Sequence, residues 1–389
     1  MSSKILFGDI AKFSNGKSSP DRDEKAKFNV YGSNGIIGKS DETNAKEETI
    51  IIGRVGSYCG SVYFSKDKCW VTDNAIKCEA KDNNVPSFIY YQALVLNLNN
   101  FRVGSGQPLL NQGILNSLEI NSIKPKQQQK IAHILSTLAD KIELIRKMNQ
   151  TLEEMAQALY KSWFVDFDPV HVKLTCKDDA DLENVAKELG ISKEILDLFP
   201  SEFEESELGM IPKGWEVVKI EEILQRYQAP KRYKKEAVES FGKTVVLEQG
   251  ANIILGYHDG EAEFQATEDK PMFIFGDHTC IMRLSTKPFS ISENVIPLSG
   301  LTRNGYWTYY ATYGQQTFQE YRRHWSELIV KEIVMADEKL CDLFAEKVKP
   351  LILKIEQNIL EINELIKTRD TLLPKLLSGE IDVLGLEIK

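Results

Sequence analysis

The amino-acid sequence predicts two α/β (α+β) domains in tandem repeat, joined by two long helices that form an intramolecular antiparallel coiled coil with pseudo-two-fold symmetry. Three observations predict this architecture. Apolar residues recur at heptad spacing in two separate segments, each segment follows a stretch of short strand patterns, and both features return at an offset of 213 residues, which aligns Phe7 with Ile220. Such a repeat indicates that the chain uses one structural plan twice.

The two helical patterns cover residues 127–165 and 338–378, and each has an apolar seam with alternating steps of four and three residues. This spacing is typical of coiled-coil helices. The first seam consists of Ile131, Leu135, Leu138, Ile142, Ile145, Asn149, Leu152, Ala156, Leu159 and Trp163. The second consists of Phe344, Val348, Leu351, Ile355, Asn358, Ile362, Leu365, Arg369, Leu372 and Leu376.

Each seam contains one asparagine, and a polar residue in a seam lowers stability but sets the register. An antiparallel register in which facing residue numbers sum to 507 gives the best overlap of the two seams. It places Asn149 opposite Asn358, where their amides can bond to each other, and Trp163 near Phe344. At about 1.5 Å rise per residue, a seam of ~33 residues spans roughly 50 Å.

The predicted boundaries follow from these helices. We expect a first domain at residues 1–126, a helix at 127–165, an acidic connector at 166–214, a second domain at 215–327, and a second helix with a C-terminal tail at 328–389. Short apolar runs bounded by glycine predict buried strands and their partners. These runs are Thr49–Ile52, Val62–Phe64, Met272–Phe275 and Cys280–Met282, and a short helix is predicted at Asp181–Leu189 in the connector.

The charge of the chain is unevenly distributed. The 389 residues include 48 Lys+Arg and 57 Asp+Glu, for a net charge of −9. Between Asp166 and Met210, 13 acidic residues face only 4 lysines, so the connector holds the whole imbalance and the remainder carries 44 residues of each sign. Because phosphates repel acidic groups, we expect the connector to lie away from any nucleic acid, while a neutral body can still present a basic face.

The same composition predicts a soluble, cytoplasmic protein that does not enter a membrane. The sequence has no run of eighteen apolar residues, and the start of the chain lacks the apolar core of a secretory signal. The six cysteines show no CxxC spacing, which favours free thiols in a reducing compartment.

The sequence predicts no catalytic, cofactor-binding or metal site. There is no GxxxxGK[ST] phosphate loop and no HExxH, and Asp277-His278-Thr279-Cys280 offers too few ligands for a metal. Asp166-Phe167-Asp168-Pro169 is followed by Val170-His171, whereas the loop of adenine methyltransferases ends in Pro-Pro-Tyr or Pro-Pro-Phe. We interpret this segment as a helix-terminating turn.

Two glycine motifs, Gly53-x-x-Gly56 and Gly104-x-Gly106, are compatible with tight turns or with backbone amides close to phosphates. Arg54, Ser105 and Gln107 lie inside them. Arginine can pair with guanine and glutamine with adenine in the major groove. These three residues are therefore candidates for DNA contact.

The strongest basic cluster covers residues 226–235, with five cations, two tyrosines and no acidic residue. It is either a solvated loop or a DNA-binding segment that mostly contacts phosphates. Lys17 lies at the corresponding place in the first half. The other candidates for DNA contact are the five cations of the cluster, Arg226, Lys231, Arg232, Lys234 and Lys235, together with Arg283, Arg303, Arg322 and Arg323.

Two segments resemble the joints of specificity subunits of type I restriction–modification enzymes. They are residues 163–170, WFVDFDPV, and residues 208–216, LGMIPKGWE. Residues 51–56 and 104–109 also resemble target-recognition domain motifs of that family. The order of domain, long helix, connector, domain and long helix extends the resemblance over essentially the whole chain.

The resemblance implies a non-catalytic subunit whose two domains each read one half of a split, asymmetric site in double-stranded DNA. It also implies that the paired helices dock two methyltransferase subunits, which restriction/translocase subunits then join. No cofactor is expected in this chain, because S-adenosylmethionine, ATP and Mg²⁺ are expected on the partner subunits.

Two other classes of function remain as alternatives, a DNA-binding transcriptional regulator that dimerises through the coiled coil and a coiled-coil protein scaffold. No helix-turn-helix is apparent in the sequence, and the two halves differ, whereas a dimer that reads a palindrome needs identical halves.

Overall fold

The computed structural model describes residues 4–104, 108–250 and 252–386. The chain divides into two compact units, Met1–Arg146 with Leu360–Lys389, and Lys147–Ile359. Each unit contains one globular α/β domain and a part of both long helices.

The domain of the first unit consists of short strands and short helices. They are β1 (Lys4–Leu6), α1 (Phe7–Ile10), β2 (Ala11–Asn15), β3 (Phe28–Gly32), β4 (Gly35–Ser40), β5 (Thr49–Gly53), β6 (Val62–Ser65), β7 (Trp70–Val71), β8 (Ala75–Ala80), α2 (Pro86–Val95), α3 (Gln112–Ser117) and β9 (Glu119–Asn121).

Three sheets organise this domain. The largest has the antiparallel order β2-β8-β5-β6, a second has the order β4-β3-β7 with β3 parallel to β7, and β1 pairs with β9. Strand β5 is buried at every position, since it lies inside the four-stranded sheet and is rich in β-branched residues. The predicted strand at Thr49–Ile52 and its predicted partner at Val62–Phe64 are thus confirmed.

The domain of the second unit repeats this plan. Its elements are β12 (Glu216–Lys219), α8 (Ile220–Ile223), β13 (Leu224–Arg226), β14 (Thr244–Leu247), β15 (Ile254–His258), β16 (Met272–Gly276), β17 (Met282–Ser285), β18 (Phe289–Ile291), β19 (Val295–Gly300), α9 (Gly305–Thr312), α10 (Trp325–Leu328) and β20 (Glu332–Met335).

The sheets of the second domain have the orders β13-β19-β16-β17, β15-β14-β18 and β12-β20, which match those of the first domain strand for strand. The predicted strand at Met272–Phe275 is confirmed as β16. Its partner begins at Met282, so the prediction that the partner strand covers Cys280–Met282 was wrong at its start. Cys280 has a φ of +58° and its amide donates to the Gly276 carbonyl (2.8 Å), so it belongs to the turn before the strand.

The connector is more structured than the sequence analysis predicted. Its predicted helix is present as α6, and two further helices and a hairpin accompany it. The elements are α5 (Asp168–Thr175), α6 (Asp179–Glu188), α7 (Lys193–Leu198), β10 (Phe203–Ser206) and β11 (Gly209–Pro212). Val170 and Phe199 are buried in the core of the second unit, where the Phe199 ring lies 5.2 Å from that of Trp163.

The two long helices are α4 (Pro125–Phe164) and α11 (Glu338–Ser378), close to the predicted limits. In the first unit, Ile142 and Ile145 pack with Ile362, and Lys141 forms an ion pair with Glu361 (2.6 Å). In the larger core of the same unit, Ile131 and Leu135 lie with Leu372 and Leu376, so residue numbers rise along one helix as they fall along the other. The pairing is therefore antiparallel, as predicted.

The same register holds in the second unit. The rings of Trp163 and Phe344 lie 6.4 Å apart in its core. The Asn358 Nδ2 donates to the Asn149 Oδ1 at 2.7 Å, and Asn358 is buried. The structure therefore contains the amide contact that the number sum of 507 predicts.

Each domain is also attached to a helix by a carboxylate. In the first unit, Asp140 of α4 pairs with Lys66 (2.7 Å), which directly follows β6. In the second unit, Glu356 of α11 accepts the amide of Thr286 (2.8 Å) and the hydroxyl of the same residue, directly after β17. Equivalent turns of the two domains thus contact the helices through an ion pair in the first unit and through hydrogen bonds in the second.

We expect Asn358→Ala to lower the free energy of unfolding by about 1–3 kcal/mol, because it leaves the Asn149 amide without its partner in the seam. Thermal and denaturant unfolding would measure this change, with Gln357→Ala on the exposed face of the same helix as the matched control. Changing both asparagines to leucine should restore stability. If Asn358→Ala unfolds like Gln357→Ala, the amide bond does not stabilise the seam.

Candidate nucleic-acid interface

The central strands β5 and β16 end in equivalent loops. Arg54 follows β5, and its amide donates to the Asn74 carbonyl (2.9 Å). Asp277 follows β16, and its amide donates to the Asn294 carbonyl (2.9 Å). Asn74 and Asn294 therefore occupy equivalent structural positions in the two domains.

The carbonyl groups of the two loops are equivalent as well. The Arg54 carbonyl accepts the amide of Leu110 (2.9 Å), and the Asp277 carbonyl accepts the amide of His324 (2.8 Å). Arg54 and Asp277 consequently occupy the same backbone position in their domains. One domain places a basic residue there and the other an acidic residue.

The candidate DNA-contacting residues of the first domain differ in their exposure and in their bonds within the protein. Lys17 is exposed, and its backbone forms a parallel bridge with Thr72. Arg54 is partly buried, and its Nη1 donates to the Asp73 carbonyl (3.3 Å), which leaves other donors of the guanidinium for a ligand. Ser105 and Gln107 lie outside the described residues.

The first glycine motif is explained in part by internal packing. A Cβ atom on Gly53 would lie 2.3 Å from the Tyr58 carbonyl oxygen and 2.8 Å from that of Ser33, so two backbone segments need glycine here. Gly56 has a φ of +76°, and a Cβ on it would meet no atom within 4 Å. A tight turn therefore accounts for both residues, and the open side of Gly56 leaves room for a ligand.

The basic cluster at residues 226–235 contains both free and engaged cations. The Lys231 Nζ lies 4.2 Å from the ring centroid of Tyr233, which itself stacks on His258 at 4.4 Å. Lys234 pairs loosely with Glu293 (3.6 Å), and Lys235 is exposed. The lysines therefore project ammonium groups from an exposed segment supported by aromatic rings.

Arg232 has a different role. Its Nη1 donates to the carbonyls of Ser292 (3.1 Å) and Val295 (2.8 Å), and burial lowers the pKa of its guanidinium. Next to it, the backbone of Tyr233 bridges Ser292 in parallel, as that of Lys17 bridges Thr72 in the first domain. Arg232 thus attaches the cluster to the sheet, and the predicted correspondence between Lys17 and this cluster is present in the structure.

The isolated arginines are also engaged to different degrees. Arg303 donates from Nε (3.1 Å) and Nη2 (2.9 Å) to the Ala336 carbonyl, and from Nη1 to the Thr302 carbonyl (3.0 Å). These bonds give Arg303 a structural role within the domain. Arg322 pairs with Glu320 (3.0 Å) and Glu327. Arg283 is partly buried on β17.

Arg226 and Arg323 lie near the end of β16 in the second domain. The Arg226 guanidinium lies 5.1 Å from the ring centroid of Trp325, and the Arg323 Nε lies 3.7 Å from the Asp277 Oδ2. The sequence analysis missed the aromatic residues of this surface. Tyr321 is 74% exposed and packs edge-on against His278 (4.7 Å), and its position directly before Arg322-Arg323 was the available signal. Basic and aromatic side chains on one surface are suited to nucleic acid.

Other kinds of site find no support in the described part of the chain. No group of three or more His, Cys, Asp and Glu side chains there is arranged to hold a metal ion. All six cysteines are free, and burial raises the pKa of the Cys341 thiol to about 12. Within the same residues, no helix has both the length and the apolar character required to span a membrane.

Comparison with known proteins shows which family this chain resembles. Residues 4–154 match the family model of the type I restriction modification DNA specificity domain. The MjaIX specificity subunit of Methanocaldococcus jannaschii is 29% identical over 338 residues, which cover 78% of this chain and 71% of that protein. The HindI specificity subunit of Haemophilus influenzae is 26% identical over 327 residues, which cover 70% of this chain and 71% of that protein.

A solved structure has the same fold. The crystal structure of the type I restriction–modification S subunit from M. genitalium aligns with a TM-score of 0.60 over 96% of both chains, at 16% sequence identity. The predicted fold class, tandem α/β domains with two long paired helices, is confirmed.

Residues 4–154 thus match a DNA specificity domain, and these two relatives are specificity subunits of type I restriction enzymes. The chain is similar to specificity subunits of type I restriction enzymes over most of its length, as the motifs at its joints predicted.

We expect the combined variant Lys231→Ala, Lys234→Ala, Lys235→Ala to bind all duplex sequences more weakly, with a salt dependence flatter by about 0.9 log–log unit for each phosphate that the variant no longer neutralises. Fluorescence anisotropy across a salt series would measure this slope. Arg232→Ala is the matched control, because its bonds to backbone carbonyls predict lower thermal stability with a nearly unchanged slope. An unchanged slope in the lysine variant would assign the cluster to a solvated loop.

Proposed function

We propose that the two domains read different halves of one bipartite, asymmetric DNA site. The observation that carries this proposal is that one strand order occurs twice with different side chains at equivalent positions. Arg54 corresponds to Asp277, and Lys17 corresponds to Tyr233. Because base reading depends on the donors and acceptors that a side chain presents, domains that differ in this way recognise different sequences.

In this proposal, the exposed lysines supply affinity and a smaller set of side chains supplies specificity. Lys17, Lys231, Lys234 and Lys235 are exposed cations that contact phosphates. In the same proposal, arginines near the ends of β5 and β16 contact base edges. The neutral balance of the chain outside the acidic connector is compatible with such a surface.

The paired helices act as a spacer between the half-sites and as the docking surface for two methyltransferase subunits. Apolar side chains outside the seam of α4 support this role. In the second unit these are Met148 and Met155, seven residues apart and therefore on one face, and in the first unit Leu144 is exposed. Exposed apolar side chains along a charged helix are suited to contact with another protein.

The chemistry of modification and cleavage belongs to the partners. S-adenosylmethionine binds to the methyltransferase subunits, and ATP and Mg²⁺ to restriction/translocase subunits that join the complex through them. The support for this part is the sequence itself, which contains neither a phosphate-binding loop nor a methyltransferase loop.

Exchange of one domain tests the division of the site. Replacing residues 215–327 with the matching segment of a related specificity subunit should change one half of the methylated motif and leave the other intact. Genome-wide mapping of methylated adenines, in cells that contain the methyltransferase subunits, would read both halves at once. The reciprocal exchange of residues 1–126 is the control and should change the opposite half. A single exchange that altered both halves would contradict independent reading.

Shortening both helices by one heptad tests the spacer. Deleting residues 142–148 and 359–365 removes facing segments of the seam and retains Asn149, Asn358, Asp140 and Glu356 with their bonds. Seven residues correspond to about 10 Å of helix, so we expect the gap in the methylated motif to shorten by about three base pairs.

Deletion from one helix only is the matched control, because it misaligns the seam and should reduce stability without defining a new gap. A double deletion that methylates the original motif would contradict the spacer role.

A further inference from the structure

The loop after β16 presents an apparent conflict with DNA binding. Asp277 lies at the backbone position that Arg54 occupies in the first domain, and a carboxylate directed outward there would repel phosphates. The question is therefore which charge this loop presents to a ligand.

The Asp277 carboxylate is directed into the protein. Its Oδ1 accepts the backbone amides of His324 (3.2 Å) and Trp325 (3.0 Å), and its side chain is only 13% exposed. Together with the bond from the His324 amide to the Asp277 carbonyl (2.8 Å), three bonds hold the segment at the start of α10 against the end of β16.

The residue directly before these two amides is Arg323. Its Nε lies 3.7 Å from the Asp277 Oδ2, and its side chain is 79% exposed. An exposed ion pair contributes little to stability, so the contact orients the guanidinium more than it binds it. The end of β16 consequently presents a guanidinium and not a carboxylate.

The neighbouring arginine differs from Arg323 in its surroundings. Arg322 pairs with both Glu320 (3.0 Å) and Glu327, and these two ion pairs neutralise its charge within the loop. Arg323 shares a single carboxylate that already accepts two amides, and it keeps donors directed to solvent. Arg323 is therefore the candidate for DNA contact, and the adjacent Arg322 provides the matched control.

We infer that Arg323 is a specificity-determining residue of the second domain, equivalent in role to Arg54 of the first, and that Asp277 is its positioning residue. The inference rests on the proposed reading of one half-site by each domain. A guanidinium donates two parallel hydrogen bonds to the O6 and N7 of guanine in the major groove, so the base that each arginine recognises is guanine.

The test uses the full chain in complex with its methyltransferase subunits. It measures the methylation rate on a set of duplexes that carry each single base-pair change in the wild-type motif. Arg323→Ala and Arg323→Lys should both lower discrimination at one guanine of the half-site read by the second domain, by about 10-fold or more. The lysine variant keeps the charge and loses the paired donors. Arg54→Ala should produce the same loss at one guanine of the other half-site.

Asp277→Asn keeps an oxygen acceptor for the two amides and removes the charge that orients Arg323, so discrimination at the same guanine should fall by less than in Arg323→Ala. Arg322→Ala should leave that discrimination unchanged. Thermal unfolding of every variant accompanies the rates, because a purely structural role would lower stability and methylation of all duplexes together.

Uniform weakening across all duplexes in Arg323→Ala, or full discrimination in Arg323→Lys, would overturn the inference and assign Arg323 to a phosphate. An unchanged guanine preference in Asp277→Asn would overturn the positioning role. A wild-type complex whose methylated motif has no two separate halves would overturn the proposed function itself, which distinguishes the two failures.

Discussion

The antiparallel register of the two long helices is the constraint on which the rest of the structure depends. The Asn358–Asn149 bond occurs only where facing residue numbers sum to 507. A slip of one heptad would place Asn149 against Leu351 or Leu365 and leave its amide without a partner, at a cost of about 1–3 kcal/mol. In the correct register, Ile145 meets Ile362 in one unit and Trp163 meets Phe344 in the other, so both domain cores include the same seam.

The repeat keeps the backbone bonding and leaves side chains free to differ. Both domains have a bulge at the same place in their three-stranded sheets, between Val30 and Tyr31 and between Val246 and Leu247. The loops after β5 and β16 share their backbone bonds, although one begins with arginine and the other with aspartate. A scaffold of this kind allows loop side chains to change without refolding, because the strands provide the stability.

The basic residues of the second domain fall into two groups, those bonded to the backbone and those that are exposed, and the sequence alone does not distinguish them. Arg232 and Arg303 bind backbone carbonyls and hold the domain together, whereas Lys231 and Arg323 project from it. In the basic cluster, an attached arginine lies between lysines that remain exposed. This division permits a protein with a net charge of −9 to present a basic surface, since the excess of acidic residues lies in the connector.

The sequence by itself determined the helices, the central strands and the repeat. Heptad spacing depends on residues three and four apart, so it predicted α4, α11 and the Asn149–Asn358 contact, and a continuous apolar run predicted β5. Only the tertiary structure decided which charges are free. The partners of Arg232 are carbonyls about 60 residues away, and the equivalence of Asp277 with Arg54 depends on bonds to Asn294 and His324. Local periodicity determines an element, but the surroundings of a charged side chain depend on segments that only folding brings together.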